Sequence, residues 1–73
     1  VVFPNPVKDL VTVGTTLPGY HTIKINSLSG QLVFHEELNG PTFQIDLSSF
    51  RKGVYFITIG FNDSVTTRKI VKL

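Results

Sequence analysis

The feature that most constrains this chain is the run Val-Tyr-Phe-Ile-Thr-Ile at residues 54–59, which directly follows Gly53. All six residues are β-branched or aromatic, the types that fit a pleated and half-buried strand. Successive side chains of a strand point to opposite faces, so one face carries Tyr55, Ile57 and Ile59. The other face carries Val54, Phe56 and Thr58. Because both faces carry apolar groups, we predict a central strand with neighbours on both sides.

The remaining sequence alternates in the same way between turn signals. Seven short strands are predicted, at residues 1–3, 10–13, 22–26, 31–38, 43–47, 54–59 and 65–73. Turns are predicted at residues 4–6, 14–20, 27–30, 39–41 and 61–64, where Gly, Pro, Asn and Ser cluster. No window has apolar residues at helical spacing over three turns. The pattern predicts an all-β fold, a small antiparallel β-sandwich of about seven strands with an immunoglobulin-like appearance. The predicted core contains Ile23, Ile25, Val33, Tyr55, Ile57 and Ile59.

Length and composition exclude several classes of function. The 73 residues suffice for one small domain, and the absence of cysteine excludes disulfides and thiolate metal sites. The net charge of +2 is too small to indicate a nucleic-acid partner. The sequence contains no apolar run long enough to insert into a membrane. The chain has no methionine, and we expect it to be part of a longer polypeptide.

Several individual residues have a simple structural explanation. Pro4 and Pro6 fix φ on either side of Asn5, which predicts a corner. Gly30 and Gly53 are expected to supply positive φ at turns. The ring of Tyr55 is expected in the core, with its hydroxyl at the rim.

No set of residues predicts catalysis or cofactor binding. His21 and His35 lack a third metal ligand at suitable spacing, and a zinc site needs three or four. The residues Ser48, Ser49, His35 and Asp46 are those of a hydrolytic triad, but they follow no nucleophile-elbow pattern. Turn chemistry explains the two serines better. We therefore predict no catalytic, metal or cofactor-binding residue, and no enzyme.

Four short blocks together resemble one known family. The family's opening block is similar to Pro4-Asn5-Pro6 before residues 10–13, and its middle block is similar to Gly30-Gln31-Leu32-Val33. Its third block resembles Leu47-Ser48-Ser49-Phe50 with Gly53-Val54-Tyr55-Phe56. Its basic C-terminal block, here called the basic terminus, resembles Arg68-Lys69-Ile70-Val71-Lys72. Each block is weak alone, but the four occur in order along the whole chain. The family is the C-terminal sorting domain (type A) of proteins exported by the type IX secretion system of Bacteroidota.

The resemblance implies a domain without chemistry of its own. Residues 1–73 would form a single C-terminal sorting domain at the end of a longer secreted protein. Its partners would be the upstream cargo domain, the outer-membrane type IX translocon and a sortase-like peptidase. The cargo would pass the periplasm and then be released or held on the cell surface. The residues implied as recognition motifs are Pro4, Asn5, Pro6, Gly30, Gly53, Tyr55, Lys69, Ile70, Val71 and Lys72.

The basic terminus has two interpretations. Lys69 and Lys72 with the residues between them could form an edge strand that offers backbone groups and cationic tips to a translocon subunit. Alternatively, the lysines only protect a solvated edge from aggregation. On the first interpretation, removing residues 70–73 would leave the domain largely folded but stop export.

A second function class is an accessory adhesion or carbohydrate-binding sandwich of the immunoglobulin or fibronectin kind. Such a module would need exposed aromatic rings for stacking on sugars. The candidate rings are those of Tyr20, Phe34, Phe43 and Phe61.

Overall fold

The computed structural model describes residues 2–73, and within them it leaves the side chains of Thr16 and Leu17 undescribed. Its strands are β1 (Val2–Phe3), β2 (Leu10–Ser27), β3 (Leu32–Asp46), β4 (Gly53–Phe61) and β5 (Ser64–Lys72). All strand pairs are antiparallel. The prediction of a small all-β antiparallel fold is confirmed. The described residues form no helix that could cross a membrane.

The two long strands each combine two predicted ones. β2 takes in the strands predicted at residues 10–13 and 22–26, and β3 those predicted at 31–38 and 43–47. The turns predicted at residues 14–20 and 39–41 are wrong, because the chain continues through both as strand. The register between β2 and β3 shifts between Gly14 and Gly19, and Gly19 has a φ of 109°. The Gly and Pro signals therefore mark an irregularity in the β2–β3 ladder and not a chain reversal.

The two halves of β2 have different neighbours. The first half pairs with β1 and with the end of β3, as in Val2↔Val13 and Val11↔Ile45. The second half pairs with the start of β3 and with β4, as in Ile25↔Phe34 and Ile25↔Ile57. β2 and β3 thus run through both parts of a single sheet, and the buried apolar residues of the sheet form one core.

Among the side chains that the structure describes, ten buried apolar residues form the core: Val7, Val11, Val13, Ile23, Ile25, Ile45, Leu47, Tyr55, Ile57 and Ile70. β4 supplies Tyr55 and Ile57 and lies between β2 and β5, as predicted for the central strand. Ile59 is partly buried against this core.

One predicted core residue is wrong. Val33 is 40% exposed, and its neighbour Phe34 packs against the core instead. Phe34 and Leu38, at alternate positions, pack against the core, so Val33 lies on the opposite face of β3 with the exposed His35. Alternation separates these two faces but does not say which one lies against the core.

The sheet is nearly closed. β1 and β5 lie at the two ends of the path β1-β2-β4-β5, and a parallel bridge from Lys72 of β5 reaches Val7 in the segment that follows β1. The strand predicted at residues 1–3 is observed as Val2–Phe3, and Val1 lies outside the described residues.

Candidate recognition surface

The side chain of Asn5 takes the place of a strand residue beside β5. Its Nδ2 donates to the Lys69 carbonyl at 3.0 Å, and its Oδ1 accepts the Val71 N–H at 3.0 Å. A carboxamide has the same donor and acceptor as a peptide unit, so it can satisfy one outward-facing pair of ladder groups. Pro4 and Pro6 hold the asparagine on an exposed corner, as predicted from their fixed φ.

Val7 continues this pairing with its backbone. The Val7 N–H donates to the Val71 carbonyl at 2.8 Å, and the Leu73 N–H donates to the Val7 carbonyl at 2.9 Å. We call Asn5, Val7 and their partners on residues 69–73 the clasp. In an antiparallel strand, alternate residues turn their backbone groups away from the neighbouring strand, and here the clasp binds the outward groups of Val71. A foreign strand could add to this part of β5 only by displacing the clasp.

Residues 69–72 of the basic terminus have unlike surroundings. Ile70 is fully buried, Val71 is half-buried in the clasp, and Lys69 is exposed. Lys72 is only 7% exposed, and its Nζ donates to the Leu73 carbonyl oxygen at 2.8 Å. The expectation of a cationic tip is therefore wrong for Lys72 and holds for Lys69. A truncation of residues 70–73 would also remove the buried Ile70 and part of the clasp, so we now expect it to destabilise the fold as well as to affect export.

The turn around Gly30 is closed by a dense set of local hydrogen bonds. Gly30 has a φ of 94°, as predicted, and its N–H donates to the Ser27 carbonyl at 2.9 Å. The Ser27 N–H donates to the Gln31 carbonyl at 2.9 Å. Asn26 Nδ2 donates to the Gly30 carbonyl at 3.2 Å. These bonds fix the direction in which β3 starts.

The segment that leads into β4 is held by Tyr55. Gly53 has the predicted positive φ, at 150°, and lets the chain turn into the strand. The Tyr55 ring is buried and packs edge-on against Phe50, with centroids 5.3 Å apart. Its hydroxyl donates to the Arg51 carbonyl at 2.8 Å. The expected core ring is confirmed, and its hydroxyl lies in a part-buried position.

Asp46 closes the other side of the same segment. Its Oδ1 accepts the Ser48 N–H at 2.8 Å. This backbone hydrogen bond, together with one from the Ser48 side chain, holds the pKa of Asp46 below its ordinary value. The carboxylate therefore serves the turn, as predicted for Ser48 and Ser49.

These features lie at one end of the molecule. Gly53 pairs with Lys72, and Ser27 pairs with Tyr55. The turn at residues 27–31 and the segment at 49–55 line a common groove. The Val7–Lys72 bridge adds the corner at residues 4–6. We call this region the motif end, because all four sequence blocks reach it.

The two histidines are separated and serve different purposes. His21 is buried, stacks on Phe61 with centroids 4.5 Å apart, and its Nδ1 lies 3.0 Å from the Gly19 carbonyl. Because a carbonyl only accepts, Nδ1 is the donor, and Nε2 is free to accept from Thr15 Oγ1 at 3.3 Å. His35 is exposed on β3. Nowhere in residues 2–73 do three His, Cys, Asp or Glu side chains gather in a way that could hold a metal ion.

Comparison with known proteins decides the family. A family model described as "Secretion system C-terminal sorting domain" matches residues 1–73, the whole chain. The chain belongs to this family. It is a type IX secretion C-terminal sorting domain, and members of the family are not themselves catalytic.

A relative of known name shares most of the sorting domain. It is an endo-acting ulvan lyase of Formosa agariphila, 37% identical over 59 residues. The match covers 80% of this chain but only 11% of the relative's length. The sorting domain thus corresponds to a small part of a much larger enzyme.

Sequence reasoning found the four blocks but missed how they meet. Asn5 lies 64 residues before Lys69, and no local pattern connects two positions so far apart. Val7 and His21 were also missed as buried residues. The buried positions of β2 are odd-numbered, from Val11 and Val13 to His21 and Ile23. A prediction that residues 14–20 continue the strand would therefore have placed His21 in the core.

Proposed function

We propose that this sorting domain is the C-terminal part of a longer secreted protein and directs that protein through the type IX translocon. The observation that carries the proposal is the family match over residues 1–73. The ulvan lyase supports it, because a similar sequence makes up 11% of a protein named for another activity. The cargo would cross the periplasm, pass the outer membrane and end outside the cell or on its surface.

The proposed partners are the outer-membrane translocon and a sortase-like peptidase that cuts upstream of the domain. Of the motif residues, those with exposed side chains are candidates for direct contact: Pro4, Asn5, Pro6 and Lys69. Tyr55, Ile70 and Lys72 are buried and would act by holding the fold. Gly30 and Gly53 have no side chain to offer, so they would act through the turns they permit. Val71 would act through the clasp.

The adhesion or carbohydrate-binding alternative gains little support. Of its four candidate rings, Tyr20 is exposed, whereas Phe34, Phe43 and Phe61 are half-buried. A single exposed ring is a poor stacking platform.

The test is a secreted reporter carrying residues 1–73 at its C-terminus, expressed in a type IX-competent bacterium. We expect the reporter on the surface or in the medium, and in the periplasm of an isogenic strain without the translocon. Mass spectrometry of the exported reporter would show whether it ends upstream of the domain. Equal export from both strains, or retention in both, would contradict the proposal.

A further inference from the structure

Among the described strands, β1, β3 and β5 each have a strand neighbour on one side only. β1 is two residues long, so the two long outer edges are those of β3 and β5, and they differ in what covers them. The clasp occupies the end of β5. β3 pairs with β2 alone, so its other edge has no strand neighbour in the part of the chain that the structure describes. An open edge presents unpaired backbone N–H and C=O groups to any segment that can extend along it.

The open edge of β3 begins with two exposed apolar residues. Leu32 is 49% exposed and Val33 is 40% exposed. Both belong to the block at residues 30–33 that resembles the family's middle block, yet neither is buried in the core. Val33 lies on the face of β3 opposite the core face that Phe34 occupies, next to the register shift between β2 and β3.

The open part of β5 is different in character. Its residues at 66–69 are Thr, Thr, Arg and Lys, and Arg68 Nη1 donates to the Thr67 carbonyl at 3.2 Å. Long cationic side chains of this kind discourage strand addition. Residues 32–35 of β3 include no Lys, Arg, Asp or Glu, so this part of the β3 edge is the better acceptor of the two.

A groove with one positive charge adjoins the start of β3. Its lining includes Val33, Phe50, Arg51 and Tyr55. The hydrogen bond from the Tyr55 hydroxyl to the Arg51 carbonyl fixes the backbone from which the Arg51 side chain extends. That side chain is exposed and has no carboxylate partner among residues 2–73. A guanidinium in this position is suited to bind a carboxylate from outside the domain.

We propose that an extended segment of a protein of the export machinery adds as a strand to the outer edge of β3 at residues 32–35. The segment is apolar at alternate positions, which contact Leu32 and Val33, and it carries a carboxylate that binds Arg51. Backbone hydrogen bonds along the edge supply affinity, and the apolar and charged contacts supply specificity. This inference rests on the function proposed above and names the surface by which it is carried out.

The test uses the reporter fusion with the intact domain and charge substitutions on the two edges. The key variant combines Leu32→Lys with Val33→Lys, and Arg51→Glu is the second. Val65→Lys is the matched control, because Val65 is 69% exposed and lies on β5. We expect the double variant to lower surface delivery by at least about tenfold, since it removes two apolar contacts from the bound state. Arg51→Glu should lower delivery too, and Val65→Lys should leave it unchanged.

Each result bears on the proposal. Delivery of the double variant at the parent's level, or an equal loss with Val65→Lys, would overturn it. So would size-exclusion chromatography showing a dimer of the parent that the double variant dissolves, because a second copy would then occupy the edge. If the double variant melts well below the parent, the pair Leu32→Thr and Val33→Thr takes its place. A parent fusion that is not exported refutes the proposed function itself, and this inference with it.

Discussion

Replacing Asn5 by alanine tests whether the clasp holds the domain closed. The substitution removes two side-chain hydrogen bonds, to the Lys69 carbonyl and from the Val71 N–H, both 3.0 Å long. A hydrogen bond contributes about 0.5–1.5 kcal/mol net, and these are exposed, so we expect a loss of about 1–2 kcal/mol. A 73-residue domain has a free energy of unfolding of about 4–11 kcal/mol in total. The loss is therefore a large share of the stability and corresponds to about 5–15 °C in Tm.

The assay is thermal and urea unfolding of the reporter-free chain or of the fusion, followed by hydrogen exchange. Besides the lower Tm, Asn5→Ala should lose exchange protection at the amides of Val71 and Leu73, which the clasp binds. Asn39→Ala is the matched control, because that exposed asparagine makes no side-chain hydrogen bond to the described residues. Its effect should stay within about 0.5 kcal/mol. If Asn5→Ala is as mild as the control and leaves the Val71 amide protected, the clasp does not stabilise the fold.

Three further substitutions test other parts of the argument. Ile70→Ala should lower the free energy of unfolding by about 2–5 kcal/mol, because the side chain is fully buried. Leu28→Ala, at a position that is 70% exposed, should leave it almost unchanged. Urea unfolding of both variants compares the two values. Tyr55→Phe should lose about 1 kcal/mol with the hydroxyl's hydrogen bond, and an unchanged Tm would contradict this. The pKa of Asp46 is lower in the folded state than its ordinary value of 3.8. The ionised carboxylate therefore stabilises the fold above pH 3.8, and this stabilisation is lost as the pH falls through the folded-state pKa. The Tm of Asp46→Asn should therefore depend less on pH than the parent's below pH 3.8, and parallel curves would refute the assignment to the Ser48 hydrogen bonds.

The alternation of apolar and polar residues was enough to predict where strands form, but not that pairs of predicted strands continue into one another as β2 and β3. β4 was predicted as a strand with a neighbour on each side, because residues 54–59 carry apolar side chains on both faces, and it lies between β2 and β5. The positive φ at Gly30 and Gly53 followed from turn chemistry. The turns at residues 14–20 and 39–41 did not form, because tertiary pairing between β2 and β3 overrides a Gly or Pro signal when both strands can continue.

The two misplaced residues have different physical causes. Val33 is outside because the opposite face of β3, with Phe34 and Leu38, packs against the core, and which face does so depends on the pairing with β2 and not on β3 alone. Lys72 is inside because it shares a face with Ile70 and can lay its stem over the core while its ammonium reaches the Leu73 carbonyl. Charge alone had suggested an exposed lysine.

The clasp changes how the two terminal blocks should be understood. Asn5 completes the outer edge of β5, and β5 in turn supplies Ile70 to the core and Lys72 to the bridge with Val7. The opening block is therefore part of the structure that presents the closing block, although the two lie at opposite ends of the sequence. A linear peptide of residues 68–73 would lack the corner, the buried face and the fixed position of Lys69. It follows that a machine which selects on this surface selects on a completed fold, and such a peptide should compete poorly with the intact domain for export.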